Sequence, residues 1–226
     1  VHGLQRDPEE QALYEKMEQA HKKKDWPAYE SASKDYIAFS PMYNLGYYNL
    51  ACAQILQGNS DGAFANLEKS VELGFVDLDH LQSDNDFKAP GIKEDKRWSV
   101  IIEKIKENKT KMALKRELYQ LFQTGKYELS LSKCSSFTKK YNVSAEIVLL
   151  QAQNYGMLKK KAEALKFLEQ YADLQENSYV IALQYMPSFK EYVNDAKFKA
   201  IQAKIAKKST EIEKARKKEQ ETKLKK

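Results

Sequence analysis

Apolar residues recur along most of the chain at i, i+3, i+4 and i+7, one face of an α-helix, with polar residues on the opposite face. Ala12, Leu13, Met17 and Ala20 predict a first helix to about Lys23, opened by Asp7-Pro8-Glu9-Glu10 after an irregular lead-in that holds His2 and Gly3. Asp is a good cap, Pro fits the first turn, and the carboxylates sit near the positive end of the dipole. Lys24-Asp25-Trp26-Pro27 turns into a second helix with Trp26, Tyr29, Tyr36 and Ile37 on its apolar face, stopped by Ser40-Pro41. A third helix over 44–57 and a fourth over 61–73 are joined by Gly58-Asn59-Ser60, and Ala51 and Ala63 are the small residues expected where the two cross. After Gly74 come one short helix around Asp77–Leu81, the isolated Phe87, Pro90-Gly91, and an amphipathic helix over 96–107 with Trp98, Ile101, Ile102 and Ile105 on one stripe.

The same order then returns. Helices are predicted over 114–123, 127–139, 145–158 and 162–174, with Gly125 between the first two. A short segment, Tyr179–Tyr185, follows, then Pro187, Phe189 and a closing helix carrying Phe198, Ile201 and Ile205. Tyr47 to Ala53 with Gly58, Ala63, Leu67, Glu68 and Leu73 find their counterparts about 101 residues later in Ile147 to Ala152, Ala164, Leu168, Glu169 and Leu174. Small residues at helix crossings and large apolar ones between hairpins are what stacked helical repeats require.

Those residues resemble the tetratricopeptide repeat (TPR). The stretch Tyr47-Tyr48-Asn49-Leu50-Ala51-Cys52-Ala53 with Gly58, Ala63, Leu67 and Leu73 looks like one full repeat, and 26–41 like the second half of the one before it. Leu73-Gly74-Phe75, Asp84-Asn85-Asp86-Phe87 and Lys96-Arg97-Trp98 resemble the closing helical tail found after the last repeat in bacterial members. Lys159-Lys160-Lys161 stands where the family has a Gly turn. The resemblance implies an all-α, right-handed helical solenoid of two similar halves, residues 1–108 and 109–206, each two repeats plus a tail; 207–226 reads from its own charge pattern as a charged helical tail or linker. The resemblance also implies a non-enzymatic scaffold that binds a peptide or protein partner in a concave groove. By repeat register Tyr14, Glu18, His21, Tyr48, Cys52, Ile55, Lys115, Tyr119, Phe122 and Gln153 face that groove, where Tyr offers amphipathic contact area. Tyr48 and Cys52 occupy the places where chaperone-tail binders carry Lys and Asn, which argues against such a tail as the partner. The alternative is the accessory N-terminal region of a larger exported bacterial enzyme, a hydrolase or lactonase-type protein, because similar repeats sometimes precede such a domain. The start at Val1 leans the same way, towards a periplasmic or exported chain.

Composition narrows the partner. With 8 Gly and 5 Pro in 226 residues, long helices can run unbroken, and no stretch of eighteen apolar residues exists to span a membrane. The formal net charge of +6 comes mostly from 207–226, where nine Lys or Arg face four Glu. All but Arg6, Arg97, Arg116 and Arg216 of the 38 basic residues are Lys, a poor composition for base-edge or bidentate phosphate recognition, so no specific nucleic acid is expected. The tail reads as a solvated helix with Glu213–Lys217, Glu219–Lys223 and Glu221–Lys225 at i, i+4 spacing.

Motifs for chemistry are sparse. Asp77, Asp79, Asp84 and Asp86 with His80 among them come nearest to a metal site, but the Gly and distal bidentate Glu of a calcium loop are missing, so helix caps and a solvated loop are expected. His2, His21 and His80 are far apart in sequence, and no Cys-x-x-Cys, Gly-rich phosphate loop or Gly-x-Ser-x-Gly turn occurs. No catalytic, cofactor-binding or metal residue is therefore assigned. Cys52 and Cys134 fall at interior positions and read as small buried hydrophobes.

Overall fold

A computed structural model describes residues 7–176 and 179–224, with side chains of the last helix described to Lys218 apart from Arg216. His2, Gly3 and the pairs Glu219–Lys223 and Glu221–Lys225 lie outside what it describes. Every regular element among the described residues is helical, and the chain divides into two compact units, Val1–Met112 and Ala113–Lys226.

The first unit contains α1 (Pro8–Lys22), α2 (Trp26–Phe39), α3 (Asn44–Leu56), α4 (Ser60–Glu72), the short α5 (Leu78–Ser83), a 3-10 turn at Asn85–Phe87, and the start of α6 (Lys96–Gln123). Side chains cap these helices where the sequence places small acids and amides. Asp7 accepts from the Glu9 N–H at 2.8 Å, Asp25 from Ala28 at 3.1 Å, Asn59 from Gly62 at 3.0 Å and Asp77 from His80 at 3.0 Å, each satisfying an amide that the helix leaves unpaired. Successive helices pack in antiparallel-hairpin order, α1 on α2, α2 on α3 and α3 on α4. Ala51 on α3 and Ala63 on α4 are both buried, and the two helices pack on each other. The core runs from Met17 and Tyr36 through Leu67 and Phe87 to Trp98, Ile101 and Ile105, which ties the tail after α4 to the hairpins.

The second unit contains the remainder of α6, α7 (Tyr127–Tyr141), α8 (Ala145–Met157), α9 (Lys161–Leu174), 3-10 turns at Leu183–Tyr185 and Pro187–Tyr192, and α10 (Ala196–Leu224). Here α7 packs on α8, α8 on α9 and on the second 3-10 turn, and α9 on α10. Leu118, Cys134, Phe137, Ile147 and Leu150 form one core, and Val148, Leu168, Phe189, Phe198, Ile201 and Ile205 belong to another. Cys52 and Cys134 are both buried and free.

Two expectations need correction. The helices predicted over 96–107 and 114–123 are one, α6, because Asn108 to Ala113 contain neither Gly nor Pro and nothing interrupts the hydrogen-bond ladder. The stretch after Lys207 begins docked rather than solvated: Ser209 is buried, and the Lys208 ammonium donates to the Ala172 carbonyl at 3.3 Å, a cation placed on the C-terminal carbonyls of α9.

Left-handed residues punctuate both units. Lys24 (φ 56°) after α1 and Gly125 (φ 75°) after α6 are 101 positions apart, as are Gly58 (φ 79°) after α3 and Lys159 (φ 61°) after α8. Lys159 thus takes the left-handed conformation that a Gly would adopt without cost.

Candidate functional site

Within the first unit a cavity of about 360 Å³ opens where α1, α2 and α3 meet the tail. Its wall on α1 is Tyr14, Met17, Glu18 and His21, residues that helical spacing stacks on one face. Tyr29 comes from α2, Tyr48, Asn49 and Cys52 from α3, His80 from α5, and Asp84, Asn85 and Asp86 from the 3-10 turn and the residue before it.

Aromatic packing fixes the floor. Tyr48 is 2 % exposed, its ring stacked on Phe75 with centroids 4.8 Å apart and edge-on to Phe87 at 5.9 Å. Only its hydroxyl needs a polar partner, and it donates to Asp84 Oδ2 at 2.6 Å. Asp84 Oδ1 accepts from the Asp86 N–H at 2.9 Å, so one carboxylate is held from both sides. The Cys52 thiol lies 3.8 Å from Asp84 Oδ2, and His80 Nε2 lies 3.9 Å from the same oxygen. On the opposite wall His21 Nε2 meets Asp86 at 3.1 Å to Oδ2 and 3.3 Å to Oδ1, while its ring stands edge-on to Trp26 and Tyr29.

The electrostatics follow from that burial. Asp84 and Asp86 expose only 14 % and 13 % of their side chains. Burial, then the adjacent Asp84 charge, push the Asp86 carboxyl above its usual range, and the His21 contact offsets part of this. Burial and the two aspartates drive the Cys52 thiol well above its ordinary value, which keeps it protonated and poorly nucleophilic. Burial likewise raises the Tyr29 and Tyr48 hydroxyls, with Cys52 and the aspartates adding to it. Cys52 Sγ and one oxygen each of Asp84 and Asp86 lie within 4.8 Å of one another, a donor set that could hold a metal ion.

Five of the ten residues that repeat register assigns to the groove, Tyr14, Glu18, His21, Tyr48 and Cys52, line this cavity together. Ile55 does not; it is buried in the core of the unit. In the second unit Lys115 is ion-paired with Glu146, Tyr119 is half-buried with its hydroxyl raised by burial and by Glu146, Phe122 packs against Tyr127, and the Gln153 amide lies 3.2 Å from Met186 Sδ. None of these four lines the cavity of about 290 Å³ bounded by Leu114, Leu118, Phe137 and Tyr141.

Residue-type reasoning missed the acidic half of the site. Asp84 and Asp86 read as caps, and Asp84 does cap the 3-10 turn, but its second oxygen faces α3. His21 and His80 look unrelated because 59 residues separate them, yet both line one cavity. The usable signal was the pair of aspartates flanking Asn85 directly before a buried Phe, since Phe87 in the core drags both carboxylates against α1 and α3. No helix among the described residues is long and apolar enough to cross a membrane. No protein-family model matches the chain, and no curated protein matches it either.

Proposed function

We propose that the chain is a non-enzymatic interaction scaffold of the TPR type, two similar halves of stacked helical hairpins, and that its first unit holds a peptide or protein partner in the cavity between α1 and α3. Support for the repeat reading is the spacing of 101 residues that separates the left-handed residues 24 from 125 and 58 from 159, together with Ala51, Ala63, Ala152 and Ala164, all buried. The observation that carries the binding reading is that Tyr14, Glu18 and His21 of α1 and Tyr48 and Cys52 of α3 face one cavity, as the first helices of neighbouring repeats do when they share a groove. Binding fits the chemistry better than catalysis, since the thiol and the tyrosine hydroxyls are all held in their protonated, unreactive forms.

Selection of a random-peptide display library on the full chain tests this. Enriched peptides are expected to lose binding to Tyr14→Ala and Glu18→Ala variants whose circular dichroism melts match the parent. No enrichment, or enrichment indifferent to both substitutions, overturns the proposal.

A further inference from the structure

Resting on the scaffold reading, we infer that this cavity recognises an arginine side chain of the partner, with its guanidinium between the Asp84 and Asp86 carboxylates. Glu18, Asp84 and Asp86 line the cavity and no Lys or Arg does, in a chain of formal net charge +6. Lys22 reaches Glu18 at 2.9 Å but is largely exposed outside the cavity, so the two buried aspartates carry the site. The basic side chains that line the cavity beside them are imidazoles, His21 on Asp86 and His80 near Asp84.

Size and shape decide between cations. A single water needs only about 10–15 Å³ of cavity, whereas this one offers about 360 Å³, room for a long side chain. Arg presents a planar fork of five N–H donors that can meet two carboxylates at once and lie against aromatic rings; the Lys ammonium is a single compact charge. The Asp84 and Asp86 oxygens are within 4.8 Å of one another, and rings of Tyr14, Tyr29 and His21 form the wall beside them. The receptor is already organised. Asp84 is fixed by the Tyr48 hydroxyl and the Asp86 N–H, and Asp86 by His21, so little side-chain freedom remains to be lost on binding. A guanidinium also offsets the Asp84 charge, which after burial is the second cause that lifts the Asp86 carboxyl.

The experiment is a titration of the full, isotope-labelled chain with N-acetylarginine amide, followed by amide resonances, with N-acetyllysine amide and the neutral isostere N-acetylcitrulline amide in parallel. Saturable shifts confined to His21, Cys52 and residues 84–86 are expected with the arginine probe. Affinity should fall at least tenfold in Asp86→Asn, and in Asp84→Asn if the former variant does not fold. Lysine should bind more weakly and citrulline should not saturate. Equal saturation by citrulline, tighter binding of lysine, or no localised shift overturns the inference. So does a thiolate absorption band from Cys52 on adding cobalt(II) when the arginine probe leaves these resonances unmoved, which would make the site a metal site. A library selection that yields cavity-dependent peptides without Arg also sinks this inference and leaves the scaffold reading standing. Failure of the selection with a saturable arginine response has the opposite meaning for that reading.

Discussion

The Tyr48 hydroxyl donates a 2.6 Å hydrogen bond to Asp84 Oδ2, joining the middle of α3 to the turn after α5 across 36 residues of chain. The ring below it is core and the oxygen above it is site, so one residue couples the packing of the unit to the orientation of a cavity carboxylate. Tyr48→Phe keeps the stack on Phe75 and removes only this bond, leaving Asp84 short of a partner in a partly buried place. A loss of about 1–3 kcal/mol is expected from urea denaturation. Paired with Asp84→Asn in a double-mutant cycle, the two losses should be clearly non-additive; simple additivity would mean that the contact contributes nothing.

Asp86 gives the converse case. Because the fold holds its carboxyl above the ordinary range, folding favours the protonated form, and the stability this brings is present at low pH and lost as pH rises through the raised value. Above the raised value an ionised Asp86 works against the fold. Asp86→Asn should therefore melt no lower than the parent at neutral pH, and the parent should gain relative to it as pH falls through the carboxylate range. A variant that melts well below the parent at neutral pH would assign Asp86 a structural role, with the His21 contact outweighing its burial.

These two residues also mark how far the sequence could be read. Helices α1 to α4 were legible because each begins or ends on a residue with a specific backbone preference, Asp7, Asp25, Ser40-Pro41 and Gly58, and carries a clear apolar stripe. The joined α6 was not, since a polar stretch such as Glu107 to Lys111 reads as a linker until one asks what would break the helix there. On α1 and α3, Tyr14, Glu18, His21, Tyr48 and Cys52 share one cavity, while its aspartates depend on how the irregular tail folds back, which no local period encodes. Tyr48 and Ile55 show the remaining limit: register places a residue on a side of a helix but does not tell a groove position from a core position one turn away.

Gly156 offers a test of the second unit. A Cβ built there would lie 2.2 Å from the Ser188 carbonyl oxygen, where α8 runs against the 3-10 turn at Pro187–Tyr192. The obstacle is backbone and cannot rotate away. Gly156→Ala should cost about 1–3 kcal/mol despite the better helix propensity of Ala. Gly46→Ala is the matched control in the first unit, because its Cβ would meet Ile37 Cγ1 at 3.0 Å, a side-chain atom that can yield. Comparable losses at both positions, read from urea midpoints, would contradict the close approach of α8 to that turn.

The left-handed positions after α1 and α6 carry different residues in one backbone conformation. Lys24 (φ 56°) and Gly125 (φ 75°) close the first helix of a hairpin in the same way, with backbone N–H groups returning to the His21 and Phe122 carbonyls at 3.0 Å and 3.1 Å. A side chain in this conformation costs roughly 1–2 kcal/mol. Glycine avoids that cost but gives up about 0.5–1 kcal/mol through the greater freedom of its unfolded chain. The first effect is the larger, so Lys24→Gly should stabilise by up to about 1 kcal/mol and Gly125→Lys should destabilise by a similar amount. Lys24 is exposed, which keeps lost contacts from obscuring the backbone effect. Opposite signs in the two urea curves would show one closing geometry used twice; a destabilised Lys24→Gly would mean that the lysine side chain, and not the backbone, holds the end of α1.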